Sequence, residues 1–314
     1  MIVHLVKLKL KNNSMATSDQ INKAHKRGIG GSEVSAILGL DKYSSPYKVW
    51  LIKTGREKSF VGNKYTVAGN LLEAAVVEYF AQETKYRVIK SSADQKLVVH
   101  PKYEFAIGYR DRLYVKTSTI GKGVLECKTT QQIIDDVPVT WFSQLQWYLG
   151  VSNLSYGAVA WLEHGLDFKY KEYDYDSDYF DFMIGRVRDF WNNHILTDIP
   201  PEPTTIDDIQ RMFTRHIEGS KMDATPEMLG VYNELKSLRG KLKIDEARET
   251  ELIEKVKFAM RDNEVVIDGN KPIFTWRTTE DSTTFDSKKL KDEFPDIYER
   301  YCSKKPGVRR FLIK

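Results

Sequence analysis

Two short, strand-like segments near the middle of the chain constrain its fold more than any other feature. Residues 105–115 and 123–129 are rich in Val, Leu, Ile, Phe and Tyr, and a polar, glycine-containing stretch joins them. Such runs predict the two strands of a β-hairpin. Because side chains alternate across a strand, Asp111 shares a face with the other odd-numbered residues of its segment, and Glu126 shares a face with Lys128. Pairing of the strands would bring Asp111 near Glu126.

Charged groups on an otherwise apolar sheet need a compensating partner, because burying them raises the free energy of the folded state. A divalent cation would satisfy both carboxylates, since Mg²⁺ and Mn²⁺ take oxygen ligands. Such a metal would stabilise charge that develops on a phosphodiester and lower the pKa of a bound water, which Lys128 could position. An Asp followed by Glu-x-Lys is a frequent pattern, however. The same spacing is also compatible with an alternative, in which these charged residues only form salt bridges on the protein surface.

The size and composition of the chain are those of a globular protein. Its 314 residues, with 41% hydrophobic and 29% charged side chains, suffice for one large domain or two smaller ones. No apolar run is long enough to cross a membrane. The N-terminal segment lacks the features of a secretory signal, and either Met1 or Met15 could be the start. Two cysteines are too few for a disulfide framework, so a reduced cytosolic setting is expected.

The charge of the chain is unevenly distributed. Its formal net charge of +4 is a weak signal by itself. Residues 1–64, however, hold 12 Lys or Arg and 4 Asp or Glu, so that this region carries +8 and the remainder −4. A basic N-terminal region beside a carboxylate-bearing centre fits a nucleic-acid enzyme, although basic faces are also ordinary solvated surfaces.

A glycine-rich turn before the first predicted helix offers a phosphate site. Residues 28–39 predict a tight turn, an N-cap at Ser32, a short helix and a stop at Gly39. The free amides at a helix N-terminus bind phosphate readily. Arg27, just upstream, and Ser32 could therefore hold a phosphate together. The alternative, in which Ser32 only caps its helix and Arg27 is solvated, is favoured on these residues alone.

Two further helices place polar residues beside apolar ones. The helix predicted over residues 67–83 has Glu73 at the border of its apolar stripe, where the carboxylate either enters a site or faces solvent. The helix that begins at Pro138 has Gln144 on its apolar face, whereas Gln146 is predicted to point away. A glutamine that faces the core needs hydrogen-bond partners, which either a backbone group or a site residue can supply.

The composition changes after a proline-rich stretch at residues 200–203. We therefore predict an N-terminal extension over residues 1–24, a core domain over 25–203, and a C-terminal region over 204–314 that packs on the core. Apolar spacing in the C-terminal region predicts a charged helical hairpin. An Asp-Gly turn predicts a β-hairpin after it.

The motifs of this chain together resemble those of the phage lambda exonuclease/YqaJ family of viral recombination nucleases, within the PD-(D/E)XK fold class. The matching segments follow the family order, and they are RGIGGSEVSAILG (27–39), SPYKVWLIKTG (45–55), GNLLE (69–73), Asp111, LECKT (125–129) and WFSQLQWYL (141–149). The chain departs from the family around Asp111, which stands between Arg110 and Arg112. The family usually has a small residue or Pro there, followed by Asp-Gly.

The resemblance implies an α/β (α+β) fold with a restriction-endonuclease-like core, in which helices flank a central mixed sheet. The residues implied for the catalytic centre are Lys128, Glu126, Asp111, Glu73, Gln144 and Cys127. Asp111 and Glu126 would ligate metal, helped by the backbone carbonyl of Cys127. Lys128 would be the catalytic lysine, and the remaining two side chains would complete the site. By the same resemblance, Arg27 and Ser32 would bind the 5′-phosphate of a DNA end.

The activity implied by the resemblance is metal-dependent 5′-to-3′ degradation of one strand of linear double-stranded DNA. Degradation would leave 3′ single-stranded overhangs for phage-type recombination by strand annealing. The implied cofactor is Mg²⁺, with Mn²⁺ as a substitute and two ions in the site. The implied partners are DNA ends, a single-strand annealing protein and further copies of the chain, as in a trimeric ring. The implied location is the cytoplasm of a bacterial host, with a phage or prophage as the source.

Two other functions stay open. An endonuclease of restriction or repair type would have the same fold class, but it would cleave a covalently closed circle that an obligate exonuclease leaves intact. A non-catalytic DNA-binding protein with a degenerate nuclease fold is the second alternative. The joint presence of Asp111, Glu126 and Lys128 argues against it.

Overall fold

The structure, a computed structural model, describes residues 28–58, 62–89, 97–117, 121–305 and 307–314. The chain divides into two compact units between Met212 and Phe213. None of the described helices combines the length and the apolar character that a membrane span requires.

The described part of the first unit contains seven strands and six α-helices. The strands are β1 (Arg87–Ile89), β2 (Leu97–Val99), β3 (Ile107–Tyr109), β4 (Arg112–Val115), β5 (Gly123–Thr130), β6 (Tyr156–Glu163) and β7 (Asp167–Asp174). The helices are α1 (Gly31–Ile37), α2 (Pro46–Lys53), α3 (Lys64–Thr84), α4 (Val139–Ser152), α5 (Ser177–Phe190) and α6 (Ile206–Met212). A turn of π-helix, Trp191–Ile195, continues α5.

Five strands form a mixed sheet in the order β1-β4-β5-β6-β7. Strands β5 and β6 are parallel, and the other neighbours are antiparallel. Helix α4 is the crossover that a parallel pair requires. Side chains alternate along β5, so that Val124 packs into a cluster with α1, α2, α4 and α5, whereas Leu125 packs into a second cluster with α3. The predicted fold class, a mixed sheet flanked by helices, is confirmed.

The prediction of one continuous strand over residues 105–115 is wrong. The strand breaks after Tyr109; β3 pairs with β2 in a separate sheet, and β4 pairs with β5. The cause is a set of contacts that the local pattern does not contain. The backbone of Ile29 bonds to both Phe105 and Ile107, and the indole of Trp147 donates to the Ile107 carbonyl at 2.9 Å.

The second unit is built around α7 (Pro226–Met260), followed by the hairpin of β8 (Val265–Asp268) and β9 (Lys271–Thr275) and by α8 (Ser287–Glu293) and α9 (Pro295–Tyr301). The predicted helical hairpin is wrong, because α7 runs unbroken for 35 residues. Each glycine inside it costs only about 1 kcal/mol, which the many helix-favouring residues offset. The Asp-Gly turn between β8 and β9 is as predicted, with Gly269 at φ 58°. Packing of this region on the core stays a prediction.

The division between the units falls after α6 rather than before it, because Asp208 ties α6 to the start of α2. Asp208 is 1% exposed. It accepts a hydrogen bond from the Ser45 hydroxyl at 2.6 Å and from the backbone amides of Thr204 and Thr205 at 3.0 and 3.1 Å. Burial alone would raise the pKa of Asp208, but these hydrogen bonds outweigh it and lower the pKa below its ordinary value.

We expect Asp208→Ala to lower the free energy of unfolding at neutral pH by about 2–3 kcal/mol, because the buried Ser45 hydroxyl and two backbone amides lose their acceptor. The lowered pKa means that the wild-type contribution is fully present above the ordinary aspartate pKa, about 3.9, and is lost as the pH falls through the folded-state value. Urea unfolding over a pH series measures both effects. A variant as stable as wild type at pH 7 would contradict this role.

Candidate active site

A cavity of about 380 Å³ opens beside β5. Its walls come from α3, α4, β5 and the chain from the end of β3 to the start of β4. All six residues predicted for the catalytic centre line it: Glu73, Asp111, Glu126, Cys127, Lys128 and Gln144. A larger, more open cavity of about 1020 Å³ beside β7 contains none of them. The structure therefore brings these predicted groups together at one place.

The register between β4 and β5 sets the geometry of the two carboxylates. Arg112 lies opposite Leu125, so Asp111, one residue earlier, lies beside Glu126. The Asp111 carboxylate accepts a hydrogen bond from the Cys127 amide at 2.8 Å. Glu126 is 2% exposed, and its Oε1 lies 2.8 Å from Lys128 Nζ. Its Oε2 is buried and has no hydrogen-bond partner among the described residues.

Burial and neighbouring charges shift the pKa values of two groups in the cavity. The pKa of Glu126 is raised to about 8, chiefly by burial and then by the charge of Asp111, although Lys128 opposes the rise. Burial lowers the pKa of Lys128, but Glu126 and Asp111 outweigh burial and raise it overall. Added positive charge would therefore return Glu126 to its carboxylate form.

These residues fit a hard divalent cation. The buried, unmatched Oε2 of Glu126 is an oxygen donor that lacks a partner in the described chain, and Asp111 supplies a neighbouring carboxylate. Among the described residues, no three His, Cys, Asp or Glu side chains are gathered closely enough to hold a metal alone. Magnesium matches this donor set, because it binds through one or two carboxylates and keeps several waters.

Helix α4 positions the lysine through a short chain of hydrogen bonds. Lys128 Nζ donates to Gln144 Oε1 at 2.8 Å, and Gln144 Nε2 donates to the Tyr148 hydroxyl at 3.0 Å. Tyr148 was not predicted as a residue of the site. Its position four residues after Gln144 nevertheless places both side chains on one helix face. The prediction that Gln146 points away is wrong. Gln146 is fully buried, where it bonds to the Asp174 carbonyl and the Asp176 amide.

Arg112 is a second cation at the site that sequence reasoning did not assign. Its Nη1 donates both to Glu73 Oε1 on α3 and to the Asp111 carbonyl, at 2.5 and 2.6 Å. Glu73 therefore reaches the cavity as part of an ion pair. In the sequence, the one sign of this role for Arg112 is that it stands directly after Asp111, where the lambda exonuclease/YqaJ family usually has glycine.

Of the two residues predicted to bind phosphate, Ser32 does not line this cavity. Arg27 lies outside the described residues. Ser32 is exposed, and the N-cap of α1 is Gly30 rather than Ser32, because the Glu33 side chain accepts from the Gly30 amide at 2.9 Å. The start of α1 nevertheless packs against the site. A Cβ at Gly31 would lie 2.7 Å from the Tyr148 ring.

A buried lysine holds the turn before α1 in place. The Lys53 side chain is 2% exposed, and its Nζ lies 2.7 Å from Glu33 Oε2 and 2.5 Å from the Gly28 carbonyl. A Cβ at Gly28 would lie 2.7 Å from the Phe105 carbonyl, so only glycine fits there. Sequence reasoning missed Lys53, which reads as a surface residue near the end of α2.

Comparison with known proteins identifies the family. The YqaJ-like viral recombinase domain model matches residues 21–155. The uncharacterized protein YqaJ of Bacillus subtilis (strain 168) is 30% identical over 318 residues, which cover 97% of this chain and 97% of that protein. The chain belongs to the YqaJ-like viral recombinase family. The resemblance to the lambda exonuclease/YqaJ family drawn from the motifs is thereby confirmed.

Two solved structures show a partial likeness. The alkaline exonuclease LHK-Exo from Laribacter hongkongensis superposes with a TM-score of 0.45 at 13% identity, covering 62% of this chain and 97% of that one. A phage-related exonuclease from Haemophilus somnus 129PT gives 0.42 at 15% identity, covering 57% and 99%. Membership in the YqaJ-like family does not depend on these superpositions. It rests on the domain match over residues 21–155 and on the Bacillus subtilis relative.

Proposed function

We propose that this protein is a metal-dependent exonuclease that degrades one strand of linear double-stranded DNA in the 5′-to-3′ direction. The 3′ overhangs that it leaves would serve recombination by strand annealing. The observation that carries the proposal is the buried Glu126 beside Asp111 and Lys128, with one carboxylate oxygen unmatched in the described chain. Membership in the YqaJ-like viral recombinase family supports DNA as the substrate.

In this proposal, Asp111, Glu126 and the Cys127 backbone carbonyl hold the cation, which is Mg²⁺ with Mn²⁺ as a substitute. When bound, the ion stabilises charge on the scissile phosphate and lowers the pKa of a coordinated water. Lys128 carries a positive charge toward the cavity, where it holds the attacking water or neutralises the phosphate. Gln144 orients that ammonium through its Oε1.

The finer parts of the proposal concern the DNA end and the partners. Arg27 and Ser32 would bind the 5′-phosphate, and the packing of Gly31 on Tyr148 supports a position for Ser32 beside the cavity. The active form would be a homo-oligomer, such as a trimeric ring, that acts with a single-strand annealing protein in the cytoplasm of a bacterial host. The nuclease core would follow an extension at residues 1–24 and end with α6, where the first unit ends.

We expect linear duplex DNA with 5′-phosphorylated ends to be degraded faster than the same duplex with 5′-hydroxyl ends, by about tenfold for one lost charge-assisted contact. Ser32→Ala should reduce the difference in rate between the two substrates, because the hydroxyl that would donate to the 5′-phosphate is removed. Release of labelled nucleotides from either end, measured with Mg²⁺, gives both the polarity and the phosphate preference.

A covalently closed circular duplex is the control substrate. An exonuclease leaves the circle intact, whereas nicking or linearisation of the circle would favour the endonuclease alternative. Binding of DNA without any nucleotide release, under all metal conditions, would favour the non-catalytic alternative. Release from the 3′-labelled terminus first would contradict the proposed polarity.

A further inference from the structure

Arg112, the first residue of β4, bears on the number of cations that the cavity binds, provided that the proposed metal-dependent function holds. Its guanidinium donates to the Glu73 carboxylate on α3 and to the carbonyl of Asp111, the residue before β4. Arg112 therefore links α3 to the start of β4. Both side chains of the ion pair are largely covered, with 21% exposure for Arg112 and 22% for Glu73. The contact is therefore shielded from water, which strengthens it.

An arginine in this position is a permanent cation. Its pKa exceeds about 12, so it does not lose its charge at any pH at which the protein is folded. Its planar group bonds to a carboxylate and a carbonyl at once. A metal ion that needed Glu73 as a ligand would have to displace the guanidinium from a partly buried ion pair, and leave that charge without its partner.

The charge balance of the cavity also limits the number of ions. When all five groups are ionised, the carboxylates of Glu73, Asp111 and Glu126 and the cations Lys128 and Arg112 leave one net negative charge. One divalent ion turns this into one positive charge, which suits a phosphodiester. A second ion would raise it to three positive charges within one small cavity, where repulsion is screened only weakly.

We infer that Arg112 takes the place of a second divalent ion at Glu73, so that the cavity binds a single cation at Asp111 and Glu126. Arg112 is then a positioning residue that holds Glu73, and it supplies in fixed form the charge that another ion would bring. The resemblance of the sequence implies two ions; this chain has one ion and one guanidinium.

The test is the stoichiometry of Mn²⁺ binding to the full chain without DNA, measured by titration calorimetry and by electron paramagnetic resonance of free Mn²⁺. Wild type should bind one Mn²⁺. Arg112→Met should bind two, because the guanidinium no longer competes with a cation for the Glu73 carboxylate, and Arg112→Met combined with Glu73→Gln should return to one. Arg112→Lys keeps the charge and should also bind one. Arg87→Met, which removes an exposed arginine from neighbouring β1, is the matched control and should not change the count.

Two ions in wild type, or one ion in a folded Arg112→Met, would overturn the inference while leaving the proposed nuclease function intact. No Mn²⁺ bound by wild type would overturn the proposed function as well. Circular dichroism establishes folding of each variant. Glu73→Gln alone provides a second reading, since it should still bind one ion, and a count of zero would make Glu73 a ligand and refute the inference.

Discussion

Lys128→Met is expected to slow nucleotide release from linear duplex DNA by about 10²–10⁴-fold, the usual contribution of a positioned proton-transfer or charge-stabilising group. The ammonium lies 2.8 Å from both Glu126 Oε1 and Gln144 Oε1, so its position is determined by two partners. Methionine has a similar length and no charge. The measured quantity is the single-turnover rate at saturating Mg²⁺.

The same variant should still bind Mn²⁺, because the oxygen donors of Asp111 and Glu126 are retained. It should also fold, because Lys128 is the group that opposes the raised pKa of Glu126, so its removal favours the neutral carboxyl group in the buried position. Lys171 lies on β7 and forms an exposed ion pair with Asp136. Lys171→Met removes that pair, and as the control it should keep full activity. If Lys128→Met degrades DNA at the wild-type rate, Lys128 has no catalytic role.

Glu126→Gln is expected to weaken Mn²⁺ binding by at least about 100-fold and to abolish nucleotide release. Loss of a group that only supports a ligand already costs 10–100-fold, and here a ligand itself loses its charge. The amide has the same shape as the carboxylate, so the cavity is preserved. Calorimetric titration with Mn²⁺ and the nucleotide-release assay measure the two effects separately.

Glu163→Gln is the matched control for this variant. Glu163 is also 2% exposed and lies on neighbouring β6, but it accepts hydrogen bonds from Trp161 and Lys169 and lies outside the cavity. It should lower stability and leave Mn²⁺ affinity unchanged. If Glu126→Gln binds Mn²⁺ as tightly as wild type, Glu126 is not a metal ligand, and the proposed reaction is contradicted.

Much of the candidate site was predictable because it depends on short-range periodicity. The alternation of β5 put Glu126 and Lys128 on one face, and the helical period put Gln144 on the inner face of α4. Where the prediction failed, a distant contact overrode the local pattern. The strand over residues 105–115 broke because Ile29 and Trp147 bond to its first half. Gln146 turned inward because the chain around Asp174 offered it a carbonyl and an amide.

The sequence by itself determined the family, the fold class and the polar residues available for chemistry, since motifs and periodicity depend only on neighbouring positions. Tertiary structure alone decided which charges meet. Arg112 and Glu73 are 39 positions apart, and Lys53 and Gly28 are 25 apart. Whether such groups approach depends on how the helices pack on the sheet. For that reason the raised pKa of Glu126 and the contact of Arg112 with Glu73 could be found only from the folded chain.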